Sequence, residues 1–465
     1  MKRRDLIKNA ALGSLGLSLI QSCASTNKLV ETSASTKRAK NIIFMVSDGM
    51  SSGTFAMADT LSKRQFGKQS AWLSLNIDRR SSRAMMETFS ANSLVTDSAA
   101  GGSAWGGGKR VFNGRINQAE DGTCHTPILQ KFKKAGKSVG CVTTVPITHA
   151  TPASFSVCNE SRRNQGQIAK QYLEAKFDVM LGGGREFFDK NLRSDGEDVF
   201  GSFEKSGFGV AQTKSELFGL EQSENPILGV FHPSALPYTI DHLNSEEHKK
   251  NIPTLREMSM FAINKMKKNP NGFVMQIEGG KVDWAAHAND LGGLLYDQIA
   301  FDETIAAVLD FAEKDGETLV IVTTDHGNAN PGLMYGSNAD ENFDRLQRFK
   351  HTNEWVFSQV TRDVSSSEFI ELLAYAQNMV ITKDEAIMIT SKINSLNDED
   401  IKNSNKLPFM PLAEIQKNYT SVGWVSDNHT SDYVEVTMFG PGSERLQSFV
   451  KNYELHDFML LCSEI

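Results

Sequence analysis

The 465-residue chain lacks the features that mark several large classes of protein. It has no basic excess, since 49 Lys and Arg stand against 56 Asp and Glu, and no basic stripe is visible. This charge balance argues against a nucleic-acid-binding protein. No internal repeat is evident, and the apolar run at residues 10–20 is too short to span a bilayer as a permanent helix. The remaining composition, 40% hydrophobic and 23% charged, is typical of a globular protein.

The N-terminus has the pattern of an export signal. Four basic residues precede the apolar run, and they are Lys2, Arg3, Arg4 and Lys8. The arginine pair resembles a twin-arginine signal, and Ile20-Gln21-Ser22-Cys23 resembles a lipoprotein cleavage site. The alternative is a plain signal peptide with an incidental cysteine. We predict a signal peptide at 1–22, a Ser/Thr-rich tether at 23–40, and export to the periplasm or anchoring as a lipoprotein through Cys23.

Cysteine is scarce, with five residues in the chain. Apart from Cys23, the cysteines are Cys124, Cys141, Cys158 and Cys462. One or two disulfides are compatible with an oxidising compartment, but the sequence does not determine which residues pair. The spacing of the four does not suggest a structural zinc site.

Short apolar runs rich in β-branched residues alternate with helical patterns from residue 41 onward. The predicted strands are 41–48, 137–145, 177–183, 272–280, 318–327 and 433–440, and the predicted helices include 126–136, 254–269 and 298–314. Most of the runs are continuous, as expected for strands buried on both faces. We therefore predict an α/β fold with a mostly parallel central sheet and helices on both faces. Residues 330–420 break this rhythm and are interpreted as an insertion in a domain spanning 41–465.

Polar residues follow three of the predicted strands at the point where each strand ends. Asp48 ends the first, Glu278 ends another, and Asp325 and His326 end a third. Ligands of open α/β sheets bind outside the carboxyl ends of the strands. Acids and imidazoles delivered to that edge predict a metal-rich site.

Two further segments add candidate metal ligands. Asp283 and His287 are four residues apart and share one face of a helical turn, and His429 precedes the last predicted strand. Each fragment alone is also compatible with a solvated acid or a structural histidine. Together with the strand-end residues, these side chains can fill two zinc sites and one oxygen-rich site suited to magnesium.

The motifs taken together strongly resemble the alkaline phosphatase family. They cover most of the chain from about residue 40, outside the insertion, and read "MVSDGM", "VTDSAAGGSAWGGGKRVFNGRI", "HATPASF" followed by "SRR", "LGGGRE", "IEGGKVDWAAHAND", "TTDHGNAN" and "DNHTSD". The resemblance implies an enzyme that hydrolyses phosphate monoesters to an alcohol and inorganic phosphate through a phosphoserine on Ser98. It implies that Arg162 clamps the phosphate and that Asp97 orients Arg162, with Arg163 as the second choice.

The resemblance also implies the metal ligands and their grouping. One zinc would be held by Asp48, Asp325 and His326 and would bind Ser98. The other zinc would be held by Asp283, His287 and His429. Asp48 would bridge to a third ion, with Glu278 and Thr151 as its other ligands and His149 binding it either directly or through water. The expected content is two Zn²⁺ and one Mg²⁺ per subunit, although the His149 and Trp284 pair leaves open zinc or cobalt in the third site.

Several alternatives stay open at the level of sequence. A phosphodiesterase or sulfatase of the same superfamily is the nearest rival, but "TDSAAGG" lacks the modified Cys or Ser motif of sulfatases. A Walker A loop does not fit, because Lys109 is followed by Arg110 and the earlier glycine is missing. A surface lipoprotein that only binds phosphate or metal would have lost Ser98 or Arg162. The expected partners are small-molecule phosphate monoesters with no nucleic-acid specificity, and the resemblance also implies a homodimer.

Overall fold

The computed structural model describes residues 38–463, so the predicted signal peptide and residues 23–37 of the predicted tether lie outside the described residues. Fourteen strands are present in the described part. They are β1 (Asn41–Ser47), β2 (Ser82–Glu87), β3 (Ser138–Pro146), β4 (Val179–Gly183), β5 (Gly209–Ala211), β6 (Ile227–Val230), β7 (Phe273–Gly279), β8 (Thr318–Thr323), β9 (Gly327–Asn328), β10 (Gly332–Leu333), β11 (Val422–Gly423), β12 (His429–Thr430), β13 (Val434–Phe439) and β14 (Phe449–Lys451).

Ten of these strands form one sheet in the order β14-β2-β13-β8-β1-β7-β3-β4-β6-β5. The run from β8 to β5 is parallel, and its inner strands are rich in Val, Ile, Met and Leu and buried along their whole length. β13 runs antiparallel to both of its neighbours. The predicted mostly parallel α/β sheet is confirmed. The short outer strands β2, β5, β6 and β14 were not predicted.

Helices cover both faces of the sheet. They are α1 (Ser52–Phe66), α2 (Ala71–Ile77), α3 (Ser98–Gly107), α4 (Ile128–Lys134), α5 (Ala150–Ser156), α6 (Gln165–Ala175), α7 (Val199–Lys205), α8 (Lys214–Gly219), α9 (Thr239–Leu243), α10 (Glu246–Asn251), α11 (Leu255–Met266), α12 (Lys281–His287), α13 (Leu291–Asp315), α14 (Ala339–Asp344), α15 (Asn353–Ser358), α16 (Ser366–Gln377), α17 (Lys383–Asn394), α18 (Phe409–Thr420) and α19 (Glu454–Ser463). Short 3-10 helices lie at Arg185–Phe187, Arg345–Arg348, Asp400–Lys402, Ser404–Lys406 and Ser443–Arg445.

The two faces of the sheet bury two separate hydrophobic cores. In β1, Ile43 and Met45 belong to one core with α1, α11 and α13, whereas Phe44 and Val46 belong to the other with α3, α4 and α5. This alternation follows from the two-residue period of a strand. Because both faces are covered by helices, polar side chains of the central strands can reach a ligand only at the ends of those strands.

Helices α14 to α18 lie within residues 330–420, the segment interpreted as an insertion. Asp290 connects this region to the rest of the fold. One carboxylate oxygen of Asp290 accepts the N–H of Gly293 at the start of α13 (3.1 Å), and the other accepts the N–H of Asn353 at the start of α15 (2.6 Å). A single buried side chain therefore caps two helices at once. No helix among residues 38–463 is long and apolar enough to cross a membrane.

Candidate active site and metal centre

The polar residues that end the central strands lie together at the carboxyl edge of the sheet. β8, β1 and β7 are neighbours, and the register places Val46 of β1 beside both Thr323 of β8 and Glu278 of β7. Asp48 and Asp325 follow β1 and β8 by one and two residues. All three acids are almost completely buried. Because these neighbouring strands are parallel, residues far apart in sequence lie in one cluster at their carboxyl ends.

Ser98 lies at the N-terminal end of α3 and faces this cluster. Its Oγ is 3.5 Å from Oδ1 of Asp48 and 3.3 Å from Nε2 of His326. Asp97 caps the helix, because its Oδ1 accepts the N–H of Ala100 at 2.9 Å. The N–H groups at a helix N-terminus favour bound anions, and phosphate oxygens are such anions. The position therefore combines a hydroxyl, a cluster of potential ligands and an anion-binding helix end.

The small residues of α3 allow the helix to pack closely against α5. All ten residues of α3 are buried. A Cβ added at Gly106 would be 2.1 Å from the backbone oxygen of Ser154, and one added at Gly102 would be 2.3 Å from Ser154 Oγ. At Gly106 the close atoms are backbone, so a side chain there requires a shift of one helix, whereas at Gly102 the Ser154 side chain has to move. The run of small residues after Ser98 is thus explained by close packing of the two helices beneath the site.

The first group of candidate ligands consists of Asp283, His287 and His429. Their ligand atoms lie within 4.8 Å of one another, and the two Nε2 atoms are 3.0 Å apart. Each histidine has its Nδ1 beside a backbone oxygen, that of Asp427 for His287 (2.6 Å) and that of Thr96 for His429 (2.8 Å). Because a carbonyl accepts the Nδ1 proton, the lone pair of each histidine is at Nε2, directed to the shared centre.

The second group lies beside Ser98 and contains Asp48, Asp325 and His326. Nε2 of His326 is 3.6 Å from Oδ1 of Asp48 and 3.2 Å from Oδ2 of Asp325. Nδ1 of His326 lies 3.2 Å from the backbone oxygen of Gly327, which again leaves Nε2 toward the carboxylates. His326 therefore contacts both carboxylates of the predicted trio, and Asp48 and His326 contact the serine hydroxyl. Ligand atoms of Asp48 and His326 also lie within 4.8 Å of a ligand atom of Asp283.

The third group surrounds the other oxygen of Asp48. Ligand atoms of Asp48, His149 and Glu278 lie within 4.8 Å of one another, and Thr151 Oγ1 donates to Oδ2 of Asp48 at 3.4 Å. Thr143 donates to Oε2 of Glu278. Nε2 of His149 accepts from the guanidinium of Arg162 at 3.0 Å, since an arginine has no acceptor to offer.

The electrostatics of the cluster show why it needs positive charge. Burial raises the pKa of Asp48 well above its usual value, and the neighbouring Asp325, Asp283 and Glu278 raise it further. Burial likewise raises the pKa of Glu278 to about 7. The pKa of His429 falls to about 4 because of burial and the adjacent His326. Four buried carboxyl groups gathered at one place are a costly arrangement unless cations bind among them.

The donor set fits divalent metal ions. Carboxylate and imidazole groups are the ligands that zinc takes, and the Asp48, Glu278 and Thr151 oxygens suit a harder ion such as magnesium. Within residues 38–463, Oε1 of Glu278 and Oδ2 of Asp325 have no hydrogen-bond partner. Buried polar atoms are rarely left in this state, so these atoms are available to ligate.

Arg162 borders the cluster on the side of the nucleophile. Its NH1 donates to Oδ2 of Asp97 at 3.1 Å, and NH2 contacts His149, so the guanidinium lies between α3 and α5. Arg163, the alternative weighed on sequence, is exposed, and its backbone N–H bonds to Ser161 instead. The geometry favours Arg162 as the group that reaches a bound anion.

Some supporting residues could not be found by spacing alone. Asn328 donates to Oδ1 of Asp283 at 2.7 Å, and Thr143 holds Glu278. Backbone oxygens of Thr96 and Asp427 orient two of the histidines, and a backbone group leaves no signal in residue type. Trp284 contacts His149 edge-on, with ring centroids 6.1 Å apart, as expected for aromatic packing over the third group.

A buried serine at a helix N-terminus, ringed by carboxylates and imidazoles at the carboxyl edge of an α/β sheet, defines a metal-binding hydrolase. The family model for alkaline phosphatase matches residues 39–465, and the chain belongs to that family. It is accordingly a phosphatase.

Named relatives agree with this assignment. The chain is 30% identical to alkaline phosphatase 4 of Bacillus subtilis, over 89% of this chain and 86% of the relative. It is 31% identical to alkaline phosphatase 3 of the same organism, over 78% of this chain and 75% of the relative. The solved structure of Thermus thermophilus alkaline phosphatase superposes with a TM-score of 0.84 at 30% identity, covering 95% of each chain.

Proposed function

We propose that the protein hydrolyses small-molecule phosphate monoesters through a phosphoserine on Ser98, using two Zn²⁺ and one Mg²⁺, with zinc or cobalt as alternatives in the third site. The observation that carries the proposal is the position of Ser98 Oγ, within 3.5 Å of both Asp48 and His326. A hydroxyl in this position is adjacent both to the cation sites and to the free N–H groups of α3.

The protein's own residues account for substrate binding and for the nucleophile. Arg162 takes two phosphate oxygens through its planar fork, and Asp97 fixes the orientation of that fork. Oγ of Ser98 forms a bond to phosphorus while the bond to the leaving alcohol oxygen breaks, and the serine proton passes through solvent to that oxygen. Water then attacks the phosphoserine, releasing inorganic phosphate and restoring the hydroxyl.

Bound divalent ions would supply Lewis acidity, which lowers the pKa of a hydroxyl or water and stabilises charge on the leaving oxygen. Asp48, Asp325 and His326 would hold the ion beside Ser98, and Asp283, His287 and His429 would hold the second zinc. Asp48, Glu278 and Thr151 would hold the third, with His149 next to it. The pocket is then net positive around a doubly charged substrate.

The decisive experiment replaces Ser98 with alanine. Ser98→Ala is expected to lower the turnover of an aryl phosphate at least about 10³-fold, because removal of a nucleophile leaves only binding and charge stabilisation. Acid quenching of the unaltered enzyme should leave one phosphoryl group on the peptide that contains Ser98. Ser93→Ala, five residues earlier, serves as the control and should keep both properties.

Substrate class is tested with the same preparation. Three substrates with the same aryl leaving group should be compared: a phosphate monoester, a phosphate diester and a sulfate ester. The monoester should have the highest kcat/KM. A preference for the diester or the sulfate would assign the protein to another branch of the superfamily. Absence of turnover with all three esters would instead favour a protein whose site only binds phosphate or metal, and unchanged turnover in Ser98→Ala would refute Ser98 as the nucleophile.

We further propose export, with either a periplasmic location or a lipid anchor through Cys23, and a homodimeric assembly. The basis for the location is the N-terminal pattern of paired arginines, apolar run and cysteine. Mass spectrometry of the mature N-terminus should show cleavage before Cys23 with acyl chains on its thiol, and analytical ultracentrifugation should give the mass of two chains. An uncleaved N-terminus would refute the proposed export, and the mass of a single chain would refute the proposed dimer.

A further inference from the structure

A disulfide joins two loops on the Arg162 side of the site. Cys124 and Cys158 are bonded, at a sequence separation of 34 and with their Cα atoms 5.8 Å apart. Cys158 lies four residues before Arg162. Cys124 is exposed and Cys158 half-buried, so the bond is open to small reagents, whereas the free Cys141 and Cys462 are buried.

The two loops are the clamp loop, residues 157–164, and the strap, residues 113–125. Ile116 of the strap and Asn159 of the clamp loop exchange both backbone hydrogen bonds, at 3.0 and 2.9 Å. The backbone N–H of Arg162 donates to the oxygen of Gly114 at 2.8 Å. The strap therefore supplies the backbone partners that fix the path of the clamp loop.

The strap also contacts the cap of the nucleophile helix. The N–H of Gly114 donates to Oδ2 of Asp97 at 2.9 Å, and this same oxygen accepts from the guanidinium of Arg162. Oδ1 of Asn113 accepts the N–H of Asp97 at 3.1 Å. The strap thus lies between Asp97 and the clamp loop, so its position affects both partners of the Asp97–Arg162 pair.

Little apolar packing holds the clamp loop in place. Val157, at the start of the loop, is buried in the core, but residues 158–164 read Cys-Asn-Glu-Ser-Arg-Arg-Asn, with no aliphatic or aromatic side chain, and most of them are half-buried or exposed. In the strap, Ile116 is fully buried while much of residues 119–124 is exposed. Segments with few buried apolar contacts open locally at low free energy. A covalent link between their ends restricts that opening.

We propose that the Cys124–Cys158 disulfide is a positioning element for Arg162, and that its reduction weakens phosphate binding without removing the nucleophile. This inference rests on the phosphate-binding role proposed for Arg162. The bond acts through the strap and does not touch the substrate.

The first test removes both sulfur atoms from the full-length, metal-loaded enzyme. Cys124→Ser together with Cys158→Ser should raise the inhibition constant of inorganic phosphate and the KM of an aryl phosphate between about threefold and tenfold, a fraction of the loss that follows a full 1 Å misplacement. The kcat should change less than twofold, about the scatter of such assays. A merely structural role would lower the amount of active enzyme without moving the inhibition constant.

A double-mutant cycle then asks whether the effect passes through Arg162. In an Arg162→Ala background the disulfide should make no further difference to the inhibition constant of phosphate, because the group that it positions is absent. An equal rise in both backgrounds would overturn the proposal, since the disulfide would then act on the site by another route.

The second test uses the folded wild-type enzyme and so does not depend on refolding. A water-soluble phosphine reduces the disulfide to two thiols, while the phosphine becomes its oxide with oxygen and two protons supplied by water. After the thiols are blocked with iodoacetamide and the reagents removed, trypsin should cleave faster after Arg163. Cleavage after Lys205, on α7 and outside both segments, should stay unchanged, and the double serine variant given the same treatment should show no added effect.

The outcomes separate this inference from the proposed function. An unchanged phosphate inhibition constant and unchanged cleavage after Arg163 would overturn the positioning role. Failure of the proposed function has a different signature, because the untreated enzyme would then neither hydrolyse the aryl phosphate nor be inhibited by phosphate. The proteolysis result is informative even in that case.

Discussion

The two halves of the site are built in contrasting ways. The ligand half is built on acids and a histidine at the ends of β1, β7 and β8, to which α12 adds Asp283 and His287 and β12 adds His429. Its carboxylates are almost fully buried. The clamp half consists of Asp97, Arg162 and the polar loops around them, with about a quarter of the Arg162 side chain exposed. Burial strengthens interactions with bound cations, and partial exposure lets a substrate phosphate enter and leave.

This difference also determines how each half is held. The ligand half inherits its geometry from the hydrogen-bonded strands of the central sheet, which are buried on both faces. The clamp half depends on side-chain bonds, backbone pairing of two loops and one disulfide. Changes in the ligand half should therefore abolish turnover, and changes in the clamp half should lower kcat/KM only in part.

Metal removal should have the largest effect. Dialysis against a chelator is expected to reduce turnover to the level of Ser98→Ala and to lower the melting temperature, because four buried carboxylates would lose their counter-charge. Addition of zinc and magnesium together should restore both properties, measured by aryl phosphate hydrolysis and calorimetry. A chelated enzyme with full activity would show that the buried cluster is structural only.

Replacement of Arg162 should have an intermediate effect. Arg162→Ala is expected to lower kcat/KM by about 10- to 100-fold, because hydrogen bonds to a charged group contribute about 1.5–3 kcal/mol. The matched control is Arg163→Ala. It removes the same charge from the next residue in the chain, whose side chain is exposed. If the control loses as much activity as Arg162→Ala, the assignment of the clamp to Arg162 is wrong and the two halves are less distinct than the geometry indicates.

Sequence predicted the ligand half better than the clamp half, for a physical reason. Buried parallel strands leave a strong apolar pattern, so the edge that carries Asp48, Glu278 and Asp325 could be located from periodicity alone. The grouping of ligands and the roles of Ser98 and Arg162 came from resemblance to a family, and those roles stay predictions. Strand β5 was missed because it has three residues, and β2 was missed because its sequence, SRAMME, has too few apolar residues to stand out.

The loops around the clamp carry no comparable pattern. The pairing of Cys124 with Cys158 depends on the distance between two loops, which residue type does not encode. The same is true of the backbone oxygens that orient His287 and His429. What sequence could not supply is therefore mainly tertiary contact through backbone groups and polar loops.

The smallest expected effect on turnover comes from the packing of α3, which connects the halves. Gly106→Ala places a methyl group against the backbone oxygen of Ser154 and should lower the free energy of unfolding by about 1–3 kcal/mol. Turnover well below the melting temperature should fall less than in Arg162→Ala, because Ser98 is eight residues, roughly 12 Å, along the helix. Gly219→Ala in α8, where no atom lies within 4 Å of the added carbon, is the control and should stay within about 0.5 kcal/mol of the parent. Equal stability of the two variants in urea denaturation would mean that α3 and α5 are free to separate. The nucleophile would then not be held in place by the close packing inferred from its run of small residues.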